Sequence, residues 1–307
     1  MATYKILSLD GGGIRGLVTT GILKRLNEAV PGWFEGVDLI AGTSTGAIIA
    51  LSLAHGLSLD KIRSLYYDKG SRIFDDSWLD NLLDLGQVSG ANYDNKNLRQ
   101  EVKKLWGDTL LKDLKKKVLV ASFDLDNGDP DPLKRTWKPK FFHNFAGEDS
   151  DGDLEVYKAA LYSSAAPTYF PSVDGFVDGG VVANNPSMAA LAQILDIRAR
   201  IKDRPGLEDI VLLSVGTGQS PYFIKGTRLD WGFAQWARPI ISLMMDGSMG
   251  VADYQCRKLL GNRYHRVSPS LATAISLDDW RKRDELENVA QDTDLSATIT
   301  WLKAQWM

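Results

Sequence analysis

Tyr4-Lys5-Ile6-Leu7-Ser8-Leu9-Asp10-Gly11-Gly12-Gly13-Ile14-Arg15-Gly16 decides the fold. Six residues of short apolar strand run into a glycine loop, and apolar residues then recur at Leu17, Ile22, Leu23, Leu26 and Val30 with helical spacing. A second strand is predicted over Val37–Ala41. It enters Gly42-Thr43-Ser44-Thr45-Gly46, and a largely apolar helix follows from Ala47 to His55, stopped by Gly56. Strand, glycine turn, helix, strand, glycine turn, helix puts both turns at the same end of one sheet.

Gly-x-Ser-x-Gly between strand and helix is a nucleophile elbow. A side chain at either glycine would collide with neighbouring backbone, and the helix N-terminus favours developing negative charge beside the Ser44 hydroxyl. The first glycine loop has two readings. Gly11-x-Gly13-x-x-Gly16 matches a dinucleotide fingerprint, but that fold wants an acid at the end of the second strand. Here Asp38 stands at its start. The alternative is an oxyanion hole built from the N–H groups of Gly11, Gly12 and Gly13. Arg15 then either holds a substrate phosphate or steadies the loop.

A nucleophile needs a proton acceptor. The chain has three histidines, His55, His143 and His265, and none has an acid partner suggested by the sequence. His55 closes the helix that Ser44 opens, roughly 16 Å away at 1.5 Å of rise per residue. Asp178-Gly179-Gly180 is a better candidate. An Asp released from a strand end by two glycines can, where partly shielded from water, have a raised pKa and take a hydroxyl proton directly, although Asp-Gly in isolation reads as a common turn.

Length allows a large core in 307 residues, and a net charge of −3 gives no reason to expect a nucleic-acid partner. One cysteine, Cys256, rules out an intrachain disulfide and reads as packing. Asp124-Leu125-Asp126-Asn127-Gly128-Asp129 and Asp149-Ser150-Asp151-Gly152-Asp153 have Gly at the wrong place for a calcium loop, so no metal and no cofactor are expected. Residues 2–9 read as strand at once, so no secretory leader is expected, and no apolar run is long enough to span a bilayer.

Further helices are predicted over Leu59–Gly70, Leu98–Trp106, Leu154–Ser164, Ser187 to about Ile201, Gln235–Leu260 and Asp278–Trp306. Further strands are expected at Lys117–Phe123, Phe141–Phe145, Gly175–Asp178, Asp209–Val215 and Tyr264–Val267, with loops at Gly86–Asn95 and Asn127–Lys140. Asn185 reads as an N-cap with Pro186 at the first helical position. The apolar stretch Trp231, Phe233, Trp236, Ile240, Ile241, Leu243, Met244 and Met245 reads as core helix, with a flexible acyl-chain wall as the sharper alternative. The alternation argues for a mostly parallel sheet covered on both faces, in one domain over 1–307.

Together the glycine loop, the elbow and Asp178-Gly179-Gly180 resemble the patatin-like phospholipases. Ser163-Ser164-Ala165-Ala166-Pro167-Thr168-Tyr169-Phe170-Pro171 and Asn184-Asn185-Pro186 match as well, in the same order, over residues 5–218. Past that point, over 219–307, the resemblance is loose. It implies a three-layer α/β/α sandwich and a Ser44–Asp178 dyad without histidine. It also implies an oxyanion loop at Gly11–Gly13 and calcium-independent cleavage of fatty-acyl esters of membrane glycerolipids. The implied setting is cytoplasmic, with transient contact to membrane surfaces; homo-oligomerisation is left open.

Three other readings remain at this stage. They are a Ser44–Asp178–His265 triad, a non-catalytic nucleotide-binding module on the Gly11 loop, and an inert protein with a relic site.

Overall fold

The computed structural model describes residues 3–73, 95–197, 204–227, 230–236 and 239–307. Strand β1 (Tyr4–Leu9) passes through a 3-10 turn at Gly13–Arg15 into α1 (Gly16–Ala29). Then come β2 (Leu39–Thr43), α2 (Thr45–His55), α3 (Leu59–Tyr67), the single turn α4 (Gly70–Ile73) and α5 (Lys96–Trp106). The middle holds β3 (Lys117–Asp124), β4 (Lys138–His143), α6 (Val156–Ser164), β5 (Phe176–Asp178), α7 (Gly180–Ala183) and α8 (Ser187–Leu195). Last are β6 (Ile210–Val215), α9 (Phe233–Trp236), α10 (Ile240–Leu260), β7 (Tyr264–Val267), α11 (Arg283–Asp292) and α12 (Ser296–Trp301).

The sheet order is β4-β3-β2-β1-β6-β7, with β5 also paired to β3. All neighbours are parallel except β3/β4 and β3/β5. Alternate residues feed two separate cores, as the period of two demands. Leu7, Ile40, Val120 and Leu213 face the core shared with α1, α2, α5 and α6. Ile6, Leu39, Leu119 and Leu212 face the core shared with α8 and α10. The result is the expected three-layer α/β/α sandwich with a mostly parallel sheet.

Register on β3 positions the site. β2 occupies one flank of β3 up to the pair Thr43–Ala121. There it stops, and β5, running the opposite way, takes over the same flank from the pair Asp178–Ser122. The two strands therefore point their C-terminal ends at each other across one register step.

Several boundaries differ from the expectations. The predicted Gln235–Leu260 helix is two pieces, because Pro239 opens α10 and lacks an N–H to continue α9. The Asp278–Trp306 helix breaks after Asp292, where Thr293 turns extended. Helix α8 ends at Leu195 because Asp196 is extended; residues 198–203, and residues 86–94 of the expected loop, lie outside the described set. Pro186 rather than Asn185 is the N-cap of α8, yet Asn185 Oδ1 still accepts the Ser187 N–H at 3.0 Å.

The larger correction concerns the apolar stretch at the start of α10. Only Met245, Ala252, Cys256 and Leu260 of that helix are buried, while Ile240, Leu243 and Met244 stand exposed. Periodicity marks an apolar face but not whether anything covers it. The acidic segment 124–137 folds as a chain of carboxylate-capped turns. The Asp126 carboxylate is held by Arg135 and by the Gly128 N–H, which together bring its pKa down to about 2.

Candidate active site

Ser44 sits between β2 and α2 with φ 54° and ψ −121°, a strained conformation for a residue with a side chain. The flanking glycines make it sterically possible. A Cβ on Gly42 would lie 2.3 Å from the carbonyl oxygen of Gly46, and one on Gly46 would lie 2.2 Å from that of Leu9. The backbone N–H of Ser44 donates to Ser163 Oγ at 2.8 Å, and Ser163 donates onward to the Ala121 carbonyl at 2.6 Å.

Asp178 closes β5 and is buried. Burial pushes its carboxyl up, and hydrogen bonds from the Gly180 N–H at 2.7 Å and from the Ser44 side chain partly hold it down. The balance is a pKa of about 6. The structure thus brings Ser44 and Asp178 together, and no histidine joins them. His55 is at the far end of α2 beside Thr109, His143 faces Asp149, and His265 meets the Thr298 hydroxyl at 2.9 Å and stacks on Trp301. The His265 triad is therefore not assembled.

The glycine loop abuts the elbow: a Cβ on Gly11 would come within 3.3 Å of Ser44 Cβ. Its carbonyls are pinned. Thr217 Oγ1 donates to the Gly11 carbonyl at 3.0 Å, and Arg15 Nε donates to the Gly12 carbonyl at 3.3 Å. Because a trans peptide sets C=O and N–H on opposite sides, this turns the N–H groups of Gly12 and Gly13 the other way. Gly13 lines the pocket that holds Ser44 and Asp178. Gly11, expected as an oxyanion donor, is already engaged. Its N–H donates to the Asn184 carbonyl at 3.0 Å, so the donors left free are those of Gly12 and Gly13.

Arg15 is buried, and its Nη1 donates to Ser220 Oγ at 3.2 Å. Burial lowers its pKa, opposed by Tyr222, Asp246 and Tyr169. It steadies the loop and also lines an adjoining pocket with Asn184, Tyr222 and Met245. Asp10, the residue before the loop, is fully buried and paired with Arg266 at 2.5 Å.

Beyond Ser44 the pocket becomes apolar, walled by Ile48, Leu65, Tyr66, Ile73, Leu98 and Phe170. Neither Met244 nor Met245 lines it. Sequence reasoning missed Ser163, Asn184 and Arg266 as supports. Only the matched segments around Ser163 and Asn184 hinted at two of them.

A strand-end serine facing a strand-end aspartate beside a pinned glycine loop has a counterpart among known sequences. The patatin-like phospholipase model matches residues 7–191. The chain belongs to the patatin-like phospholipase family. A cGAMP-activated phospholipase of Pseudomonas aeruginosa (strain BWHPSA011 / Pa011) is 31% identical over 298 residues, 95% of this chain and 85% of its own. Patatin-like protein 1 of Oryza sativa subsp. indica is 32% identical over 300 residues, 81% of this chain and 68% of its own. Among solved structures, VipD from Legionella pneumophila aligns over 99% of this chain and 67% of its own at 13% identity, with a TM-score of 0.45. Patatin-like phospholipases are lipid hydrolases acting on ester bonds, and the chain is an enzyme of that class. No helix among the described residues is long and apolar enough to cross a membrane.

Proposed function

We propose that this enzyme cleaves fatty-acyl esters of membrane glycerolipids, as a phospholipase A, through a Ser44–Asp178 dyad. The observation that carries the reading is the meeting of Ser44 with a buried carboxylate of pKa about 6 at the junction of β2 and β5.

The acyl chain lies in the apolar pocket and the ester carbonyl sits at its polar mouth. Above its pKa, Asp178 takes the Ser44 proton as Oγ bonds to the carbonyl carbon. The oxyanion is received by the N–H groups of Gly12 and Gly13, each such donor being worth about 3–4 kcal/mol of barrier. The N-terminus of α2 adds a favourable field. Asp178 then returns its proton to the departing alcohol, and a water deprotonated by Asp178 cleaves the acyl-enzyme. Arg15 fixes the loop and offers its remaining donors to the substrate phosphate. Every charge in this sequence is handled by protein groups, so the chemistry proceeds without calcium.

The test is hydrolysis of defined phospholipids with product analysis by mass spectrometry, in the presence of a calcium chelator. Parallel assays with and without cGAMP are needed, since a relative is named for activation by it. Ser44→Ala and Asp178→Asn are expected to abolish turnover in folded protein, and a fluorophosphonate is expected to label Ser44. Full turnover in either variant would end the dyad reading.

A further inference from the structure

Several exposed apolar side chains share the site end of the sheet, while others, Ile197 and Leu259 among them, lie elsewhere. Strand β3 ends beside Asp178, so the segment joining β3 to β4 projects from the site end of the sheet. It carries Leu133, 96% exposed, and Trp137, 69% exposed. Strand β6 runs parallel to β1 and ends level with the glycine loop. The segment after it carries Phe223, 81% exposed. Helix α10 feeds β7 at the opposite end, so its first turns also lie at the site end. Direct contacts agree: a Cβ on Gly180 would meet Met245 Cε at 2.9 Å, and the Asn184 N–H donates to Ser248 Oγ at 3.2 Å. Here Ile240, Leu243 and Met244 are exposed on the helix face opposite buried Met245 and Ala252.

These projections continue into the site. Tyr222, next to Phe223, and Ser242 and Met245 of α10 line the pocket that contains Arg15. Exposed Lys225 lies two residues past Phe223, and Lys138 follows Trp137, although Asp126 and Asp131 pair with the other cations of that segment. Bulky apolar tips with a neighbouring Trp and Lys suit the boundary between acyl chains and phosphate headgroups. Further along α10 the exposed face still carries Val251, 57% exposed, before Lys258 lies over the Tyr254 ring at 5.6 Å.

We propose that the C-terminal end of the sheet is a membrane-docking surface. In this arrangement Phe223, Ile240, Leu243 and Met244 enter a phospholipid bilayer, and Leu133 and Trp137 form a second foot. The idea rests on the lipid-hydrolase reading, because that substrate resides in a bilayer and has to leave it to reach Ser44. A second copy of the chain is the competing occupant. It is disfavoured because the apolar groups come from three separate segments of the chain, and a fluid bilayer accommodates separate tips. The bilayer also explains why the patch adjoins the substrate pocket.

The experiment uses the full chain and vesicles of equal parts phosphatidylcholine and phosphatidylglycerol. Cosedimentation is measured on Ser44→Ala protein, so binding is read without turnover. Added Phe223→Asp or Leu243→Asp is expected to weaken binding about 10-fold or more, from the apolar area withdrawn. In the Ser44 enzyme the same substitutions are expected to cut vesicle hydrolysis alike and leave hydrolysis of a water-soluble short-chain ester unchanged. Trp137→Phe should remove a fluorescence component that brominated lipid quenches. Two results overturn the proposal. One is unchanged vesicle binding by both Asp variants. The other is a concentration-dependent dimer of the parent that these variants dissolve while binding persists. If soluble-ester hydrolysis is absent throughout but vesicle binding follows the substitutions, the docking surface stands and the dyad reading fails instead.

Discussion

The backbone N–H of Ser44 donates to the hydroxyl of Ser163 at 2.8 Å. Ser163 spends its own proton on the Ala121 carbonyl, the β3 residue paired with Thr43. One buried hydroxyl thus joins the strained elbow to β3, the strand whose next residue, Ser122, pairs with Asp178 of β5.

Ser163→Ala should therefore disable the elbow without unfolding the chain. It leaves the Ser44 N–H buried and unpaired, at a cost of about 1–3 kcal/mol. A residue already at φ 54° then has less to hold it. We expect kcat on a short-chain ester to fall about 10–100-fold. KM should change little, and fluorophosphonate labelling of Ser44 should slow in step. An unaltered kcat would show that the elbow is held by its glycines alone.

Asp178 links rate to pH. Its carboxyl ionises near 6, and only the carboxylate accepts the serine proton. The kcat/KM profile should therefore rise through about pH 6 and level off above it. Stability follows the opposite sense. The folded-state pKa lies above the ordinary 3.8, so the folded protein binds more protons and stability falls as pH climbs from 3.8 to about 6. Asp178→Asn keeps an acceptor for the Gly180 N–H and never ionises. It should be inactive, yet more stable than the parent above pH 6 by about 1–3 kcal/mol. That advantage should fade toward pH 4. Thermal melts of both proteins across this range check the sign.

Much of this centre was legible early because its pieces are local. Gly42 and Gly46 flank Ser44 in sequence, and steric exclusion around a tight turn acts over a few residues. Asp178 could be named for the same reason, as a strand end released by two glycines. What could not be read was pairing over long separations. The Gly11 N–H points to a carbonyl 173 residues later, at Asn184, and this removed one of three expected donors. The exposure of Leu243 and Met244 was equally hidden, since a 3.6-residue pattern states which residues share a face and not what lies opposite. Pro239 was a visible stop that the expectation of one long helix overlooked.

Arg266 and Asp10 lie 256 residues apart and form a buried ion pair beneath the glycine loop. Burial lowers the Arg266 pKa, but the Asp10 carboxylate more than offsets it and the net direction is upward. Removing one partner leaves an uncompensated buried charge, at about 3–5 kcal/mol. Arg266→Met should lower the melting temperature by about 5–10 °C. Adding Asp10→Asn should return most of it, because the orphaned charge is gone. A double variant no more stable than Arg266→Met would assign the loss instead to the hydrogen bonds that Arg266 donates to Ser214 Oγ at 2.6 Å and to Met249 Sδ at 4.0 Å.

The pocket beyond Ser44 is walled by Leu65 of α3 and Ile48 of α2, one turn after the nucleophile. Each methylene of substrate buried there contributes about 0.8 kcal/mol, close to fourfold in kcat/KM. Leu65→Phe shortens the space, so the optimum should move to shorter chains, while a two-carbon ester that never reaches Leu65 keeps its rate. Met244→Ala should leave the profile of water-soluble esters unchanged, since that side chain is exposed and outside the pocket. A p-nitrophenyl ester series separates the two. Should Met244→Ala shift the optimum and Leu65→Phe leave it alone, the acyl chain runs along α10 instead.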